Sequence, residues 1–293
     1  MLSVSSGMHL VLPGDYSPKS NGILIPKTLD NRVVFVLPWL NHTLVGTTDD
    51  PAEACENPIP KAEDIDYLAK QISPYLNKPF QKKDVLAWWS GLRPLVGSTK
   101  LTTAKLSRDH IIDLSSSDLV TITGGKWTTY RLMAKDVVDS VETLMGKDPS
   151  AAEPAKVSIA GAAGYHNSHI EKLRSQFNLS AEVAEHLSQN YGTEADKILL
   201  ENPDQIHPEL PYLIGEIKYS IMNEFATNIV DFVYRRLRIG FLDYRKTEML
   251  LEPVALKMGE IFGWDHKKIR AEINAASTYF ASGKISEKKN ESN

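Results

Sequence analysis

Leu119-Val120-Thr121-Ile122-Thr123-Gly124-Gly125-Lys126-Trp127-Thr128-Thr129 is the stretch on which the fold reading turns. Its first five residues are mostly β-branched and predict a strand. Two glycines follow directly, and a helical pattern then runs from about Thr128 to Leu144. Glycine lets a backbone turn sharply and approach a ligand closely. A helix beginning there presents unpaired N–H groups and the positive end of its dipole. Thr128 and Thr129 add hydroxyls in the first turn. Such a terminus suits a phosphate, a carboxylate or an anionic ring oxygen. The same residues also read as a plain β–turn–α corner.

Upstream of this corner the chain alternates strand signals with turns. Met8–Pro13 is a short apolar strand closed by Gly14-Asp15. Arg32–Leu37 is β-branched and aromatic, with Pro38 ending or edging it. Asn41-His42 is a turn and Thr43–Thr48 a return strand, so the two predict an antiparallel hairpin. Pro60 opens a helix with Ile65, Leu68, Ile72 and Leu76 at helical spacing. Val85–Leu92 and Lys105–Leu114 are two further strands, and Ser115–Asp118 is a turn.

Downstream, Gly146–Pro154 carries two prolines among small residues and reads as a linker. From Asn167 to Gly283 helix-period patterns are separated by Gly192, Asn202-Pro203, Pro208 and Gly263, which predicts an all-helical second half. Lys284–Asn293 is polar and reads as a frayed tail. The 293 residues are 42% hydrophobic and 24% charged, the composition of a soluble globular chain. Thirty-three Lys and Arg against 37 Asp and Glu leave a net charge of −4, which gives no global pull on nucleic acid or acidic lipid. The single cysteine, Cys55, permits no internal disulfide and no cysteine-based metal site. No apolar run is long enough for a transmembrane helix, and Met1 is followed by strand-like sequence rather than a signal peptide.

Three side chains upstream of the corner could carry chemistry. Arg93, in Ser90-Gly91-Leu92-Arg93-Pro94-Leu95, and Arg108, in Leu106-Ser107-Arg108-Asp109-His110, both stand in strand-like context. A guanidinium there must pair with an acid such as Asp109 or Asp113, or face a polar pocket. Arg93, flanked by Trp88, Trp89 and Pro94, is the better pocket candidate, and its fork suits an anionic substrate. His9 opens the first strand and is either a hydrogen-bonded core histidine or an acid–base group. His166 and His169 lack a third ligand of suitable type, so no metal site is expected. No GxGxxG, GxxxxGK[ST] or GxSxG element is present. Tyr234-Arg235-Arg236-Leu237-Arg238 is an isolated basic cluster and reads as a solvated or acid-paired face, not a nucleic-acid site.

The segments SSGMHLVLP (5–13), FVLPWLNHTLVGTTDD (35–50), WWSGLRPL (88–95), LSRDHIIDL (106–114) and ITGGKWTTYRLMA (122–134) resemble FAD-dependent glycerol-3-phosphate dehydrogenase in order and spacing. YGTEADKIL (191–199), EIKYSI (216–221) and YRRLRIGFLD (234–243) resemble the C-terminal cap of the same family. The GG–helix element alone is shared with related flavin amine and amino-acid oxidases. The resemblance implies an α+β fold. Residues 1–118 would be an incomplete, antiparallel, β-rich substrate-binding domain, and 119–146 the returning strand and helix of an FAD-binding domain. Residues 147–156 would be a linker, 157–284 an all-α cap, and 285–293 a disordered tail. The family's Rossmann-type glycine-rich turn, which holds the FAD pyrophosphate, has no counterpart in these residues. Tyr234 and Leu237 also stand where the family usually has small hydroxyl residues.

Carried onto this chain, the resemblance makes Arg93 the arginine beside flavin and substrate hydroxyl, and Arg108 the substrate-phosphate arginine. Lys126 would line the flavin pocket. Gly124, Gly125, Thr128 and Thr129 would meet the flavin pyrimidine edge, and His9 would be an acid–base group. The implied reaction is oxidation of glycerol 3-phosphate to dihydroxyacetone phosphate, with electrons passed to a membrane quinone. The implied setting is peripheral, on the mitochondrial inner membrane or a bacterial cytoplasmic membrane, with a homodimer possible. Nucleic acid and metal are not expected as partners. Without the Rossmann half the chain is expected to be inactive alone, and the opposing reading is a non-catalytic fragment or interaction module.

Overall fold

A computed structural model describes residues 2–28, 30, 32–76, 78–96, 109–149 and 157–281. Its organising element is the long strand β1 (Leu2–Pro13). The strand starts well before Met8, because Ser5, Ser6 and Gly7 are held by a partner along their whole length. That partner is β6 (Ala87–Val96), antiparallel to β1 from Leu2↔Val96 to Val11↔Ala87. On its other edge β1 pairs first with β4 (His42–Gly46), from His9↔Gly46 to Pro13↔His42, and then with β5 (Asp50–Pro51) at Ser5 and Ser6.

The sheet continues outward from β4 through β3 (Val34–Trp39) to β2 (Ile23–Ile25), all antiparallel. β3 and β4 form the hairpin read from the sequence, with Leu40 and Asn41 at positive φ in its turn. Pro38 does not end β3. It lies past Val36, the last residue paired with β2, where the strand is paired on one side only and a missing N–H costs least.

Alternation sorts β1 into two faces. Met8, Leu10 and Leu12 point into a core with Val34, Val36 and Val45 from the sheet and Ile65, Leu68 and Ile72 from α1 (Ala62–Ile72). These α1 residues are the helical-period set of the sequence, while Leu76 lies past the helix end. Ser5, Gly7 and His9 point to the opposite face.

A separate two-stranded unit follows. β7 (His110–Leu114) and β8 (Val120–Gly124) are antiparallel, closed by a turn in which the Ser115 N–H donates to Leu119 O at 3.0 Å. A 3₁₀ turn over Trp127–Thr129 leads into α2 (Tyr130–Leu144). The first part of the strand read as Lys105–Leu114 lies outside the described residues.

The second half is helical: α3 (His169–Phe177), α4 (Ala181–Tyr191), α5 (Ala195–Glu201), α6 (Ile214–Glu224), α7 (Ile239–Leu242), α8 (Tyr244–Phe262) and α9 (His266–Ala281). Gly192, Asn202 and Gly263 close helices, as their residue types predict. Two cores fill this half, one around Leu187 and Ile198 and one around Phe232, Leu250 and Val254. The basic cluster lies at a π-helical segment, Asp231–Arg236. Arg235 pairs with Asp231, and Arg236 lies 3.6 Å from Glu224. Trp39 packs against the second of these cores, and the Tyr244 N–H donates to Leu86 O at 3.1 Å, so the helical half is docked on the sheet.

Candidate active site on the open face of the sheet

Alternation and register place Ser5, Gly7 and His9 of β1 beside Arg93, Gly91 and Trp89 of β6 on the face away from the α1 core. Gly46 of β4 completes the row opposite His9. Two of these glycines are there for space. A Cβ on Gly46 would lie 2.3 Å from His9 Cδ2, and one on Gly7 would lie 2.2 Å from Arg93 Nη2. The imidazole and the guanidinium therefore lie down on bare backbone rather than standing up from the sheet.

The imidazole of His9 stacks on the Trp89 indole, centroids 4.4 Å apart at 18°. Trp89 in turn meets Phe241 of α7 edge-on at 5.1 Å, so the helical half props the stack from behind. Burial, and secondarily the Arg93 charge, pull the His9 pKa down to about 4. The imidazole is thus neutral at physiological pH. Among the described residues, Ser5 Oγ, His9 Nδ1 and Trp89 Nε1 are buried with no hydrogen-bond partner. Buried polar atoms are nearly always satisfied, so three orphans on one face are unusual. A cavity of about 320 Å³ opens beside Trp89, with Tyr234, Phe241, Tyr244 and Phe280 among its walls.

Arg93 is held by the segment that joins β4 to β5. Its Nη1 donates to Asp49 Oδ1 at 3.1 Å, and its Nη2 donates to Thr47 Oγ1 at 3.0 Å and to Thr48 O at 3.2 Å. Among the described residues, the acid that pairs with it is Asp49. Thr47 and Thr48 do not continue the return strand expected over Thr43–Thr48: β4 ends at Gly46, and these two residues turn with Asp49 toward Arg93. The signal for them was Gly46 breaking a strand pattern just before two hydroxyls and two acids.

The glycine corner has the backbone its residues predict. Gly124 and Gly125 both take positive φ, 79° and 83°. A Cβ on Gly125 would also lie 2.4 Å from Met133 Sδ, so the glycine seats the helix as well as turning the chain. The helix proper begins at Tyr130 rather than Thr128, and the Thr129 hydroxyl donates to Lys126 O at 3.1 Å to close the intervening turn. Lys126 and Thr128 are exposed. The fold thus unites His9 and Arg93 on the sheet and sets Gly124, Gly125, Lys126, Thr128 and Thr129 on the neighbouring unit, whose β8 touches β6. Arg108 lies outside the described residues.

The sequence matches the family described as FAD dependent oxidoreductase over residues 1–139 and the family described as the C-terminal domain of alpha-glycerophosphate oxidase over residues 153–269. It is 37% identical to a probable mitochondrial glycerol-3-phosphate dehydrogenase of Caenorhabditis elegans, over 94% of this chain and 40% of that protein. It is 36% identical to its counterpart in Dictyostelium discoideum, over 95% of this chain and 46% of that protein. The human mitochondrial glycerol-3-phosphate dehydrogenase is also 36% identical, over 94% and 40%. A crystal structure of the glycerol-3-phosphate dehydrogenase of Bacillus halodurans complexed with FAD superposes with a TM-score of 0.78 at 26% identity, covering 96% of this chain and 57% of that one. The chain spans less than half the length of these curated relatives. Its α+β architecture, an antiparallel sheet and a strand–GG–helix followed by a helical C-terminal half, is that of the superposed enzyme.

Proposed function

We propose, from the premise that this chain belongs to the FAD-dependent glycerol-3-phosphate dehydrogenases, that it supplies the substrate face and helical cap for oxidation of glycerol 3-phosphate to dihydroxyacetone phosphate. The observation that carries this reading is the sheet face itself. A neutral histidine with an unpartnered Nδ1 and a clamped arginine lie on glycine-bared backbone, beside two further orphaned polar atoms, Ser5 Oγ and Trp89 Nε1.

The residues fit the cofactor of the family. Two positive-φ glycines leave bare backbone just before the turn that leads into α2, which suits the close approach of a flavin edge. Gly124, Gly125 and Thr128 would hold its pyrimidine edge, with Thr129 closing the turn and Lys126 lining the pocket. When bound, FAD supplies the hydride acceptor. The protein does the rest. Arg93 anchors the substrate beside its C2 hydroxyl, and Arg108 takes the phosphate, where a guanidinium fork matches the oxygens. His9 takes the C2 hydroxyl proton. An acceptor must be unprotonated beforehand, and burial keeps this imidazole so. Lys126 and the helix terminus add positive charge on the pyrimidine side.

The reading extends to the surroundings. Electrons pass on to a quinone, the protein sits peripherally on the mitochondrial inner membrane, and it pairs as a homodimer. The mitochondrial location is supported by the names of the curated relatives. Along the chain, residues 1–118 serve the substrate, 119–146 are the flavin-side strand and helix, 147–156 a linker, 157–284 the cap and 285–293 a tail. One observation favours a second reading: the bare outer side of α2 fits a module that retains FAD only against further protein surface.

The test is the flavin absorbance spectrum before and after anaerobic addition of glycerol 3-phosphate, taken on this chain alone and on the chain joined to an upstream glycine-rich FAD-binding half. Bleaching of the flavin band is the expected result for the joined protein, and a bound flavin there that glycerol 3-phosphate does not bleach overturns the first reading. The chain alone is expected to stay colourless with added FAD, and bleaching by it would overturn the expectation that it is inactive by itself.

A further inference from the structure

β4 and β5 run along the same edge of β1, yet the pairing lapses between them. The last β4 pair is His9↔Gly46, and the next contact is Ser6↔Asp50. The intervening residues, Thr47, Thr48 and Asp49, leave the ladder. The detour has a built-in repair, because the Thr48 hydroxyl accepts from the Met8 N–H at 3.0 Å, within the gap between those two pairs. Thr48 is itself buried, so this repair pins the detour to β1.

All three detour residues then converge on one group across the sheet. Asp49 Oδ1 takes Arg93 Nη1, while Thr47 Oγ1 and Thr48 O share Arg93 Nη2. The acceptors comprise a carboxylate, a hydroxyl and a carbonyl, and together they fix both the position and the plane of the guanidinium. Gly7 beneath it leaves the plane no room to be raised by a methyl group. A charge-assisted bond holds more strongly than a neutral one, so Asp49 is the dominant member.

We infer that the Thr47–Asp49 detour is a guanidinium holder and that Asp49 is the positioning residue that sets Arg93 for the substrate. This rests on the function proposed above, since it assigns Arg93 a substrate to meet. Asp49 acts through Arg93 and has no reacting atom of its own.

The first test needs no cofactor. In the purified chain, rotation of the Arg93 Nη2 group should be slowed by its two acceptors, giving resolved side-chain N–H signals in ¹⁵N NMR. Asp49→Asn, which keeps shape and removes charge, should broaden or merge these signals while the backbone amide spectrum stays dispersed. Asp49→Glu should restore them in part. Thr47→Val should broaden them on its own, and this variant decides the matter if Asp49→Asn fails to fold. Absence of resolved Arg93 signals in the unsubstituted chain overturns the inference, as does a Thr47→Val or folded Asp49→Asn chain whose signals are unchanged.

The second test uses FAD-loaded protein in which this chain is joined to an upstream FAD-binding half. Asp49→Asn should lower kcat about tenfold or more with a smaller change in KM, and Asp49→Glu should recover part of the loss, a split that general destabilisation does not produce. Arg93→Ala separates the two levels. If it leaves turnover intact, the substrate role of Arg93 falls and the NMR result alone judges the holder. If it abolishes turnover while Asp49→Asn does not lower it, the positioning role of Asp49 falls and the proposed function stands.

Discussion

Strand β1 and helix α2 are treated in opposite ways by the same fold. Met8, Leu10 and Leu12 of β1 are wholly buried, with α1 beneath them and neighbouring strands on both edges. No residue of α2 is buried, although Leu132, Val138, Val141 and Leu144 are as apolar as anything in the sheet. Trp127 at its head is 86% exposed. A fifteen-residue helix is marginal by itself, so α2 persists on local propensity and a few tethers. One is the His110–Asp136 contact at 2.9 Å, and another is Met133 seated on Gly125. The two regions thus belong to two mechanical regimes. The strand whose other face carries His9 is rigid because its Met8–Leu12 side is buried, whereas the glycine corner stands on a unit that buries little of itself. Apolar surface left open on this scale marks a contact still to be made.

The largest expected effect tests the rigid side. Leu10→Ala should cost about 2–5 kcal/mol in urea unfolding, because Leu10 is fully buried in the central strand. A loss below about 1 kcal/mol would remove the basis for calling β1 the stiffer region.

The second concerns His9 and has a definite sign. Its ordinary pKa of 6.5 falls to about 4 in the fold, so between these values the unfolded chain binds the extra proton. The stability contribution is complete above about pH 6.5 and lost as pH falls toward 4, with a span of about 3 kcal/mol. His9→Gln should flatten that part of the pH–stability curve, and an unchanged slope would show that burial of His9 is not what shifts it.

Third, Gly46→Ala should cost about 1–3 kcal/mol by driving a methyl into the His9 ring, and should disturb the ring's stacking on Trp89. The ring-current shift of the His9 protons reports the second effect.

The smallest expected change sharpens the contrast from the loose side. Leu132→Ala should alter stability by no more than about 0.5 kcal/mol, because Leu132 is 54% exposed. It should, however, reduce concentration-dependent association in analytical ultracentrifugation. A large unfolding penalty would mean that α2 is packed after all.

Much of this was written in local sequence. β-branched runs, the Ile65–Leu68–Ile72 spacing and the closing glycines each act within one turn or one strand, and the elements formed where those signals lay. The glycine corner was legible for the same reason, since positive φ is a demand made on single residues. The Arg93 holder was not, because Asp49 is 44 positions away and meets it only through the register of β1 with its neighbours. The reach of β1 back to Leu2 was legible only as strand-like sequence after Met1. Ser5, Ser6 and Gly7 have weak strand propensity and are extended because β6 pairs with them. The stacking of His9 on Trp89 follows from the same register and is no more visible locally.

Gly7 and Gly46 carry a consequence at the level of the gene. Every single-base replacement that changes a glycine codon to another amino acid gives one with a Cβ: alanine, valine, serine, cysteine, arginine, aspartate, glutamate or tryptophan. At these two sites that first carbon would already lie within 2.3 Å of a group on the open face. The two codons are not equally exposed to that change. At Gly46 the new carbon meets the stacked His9 ring, whereas at Gly7 it meets the far end of the Arg93 side chain, so any replacement at Gly7 would be read out as a displaced guanidinium rather than as a broken sheet.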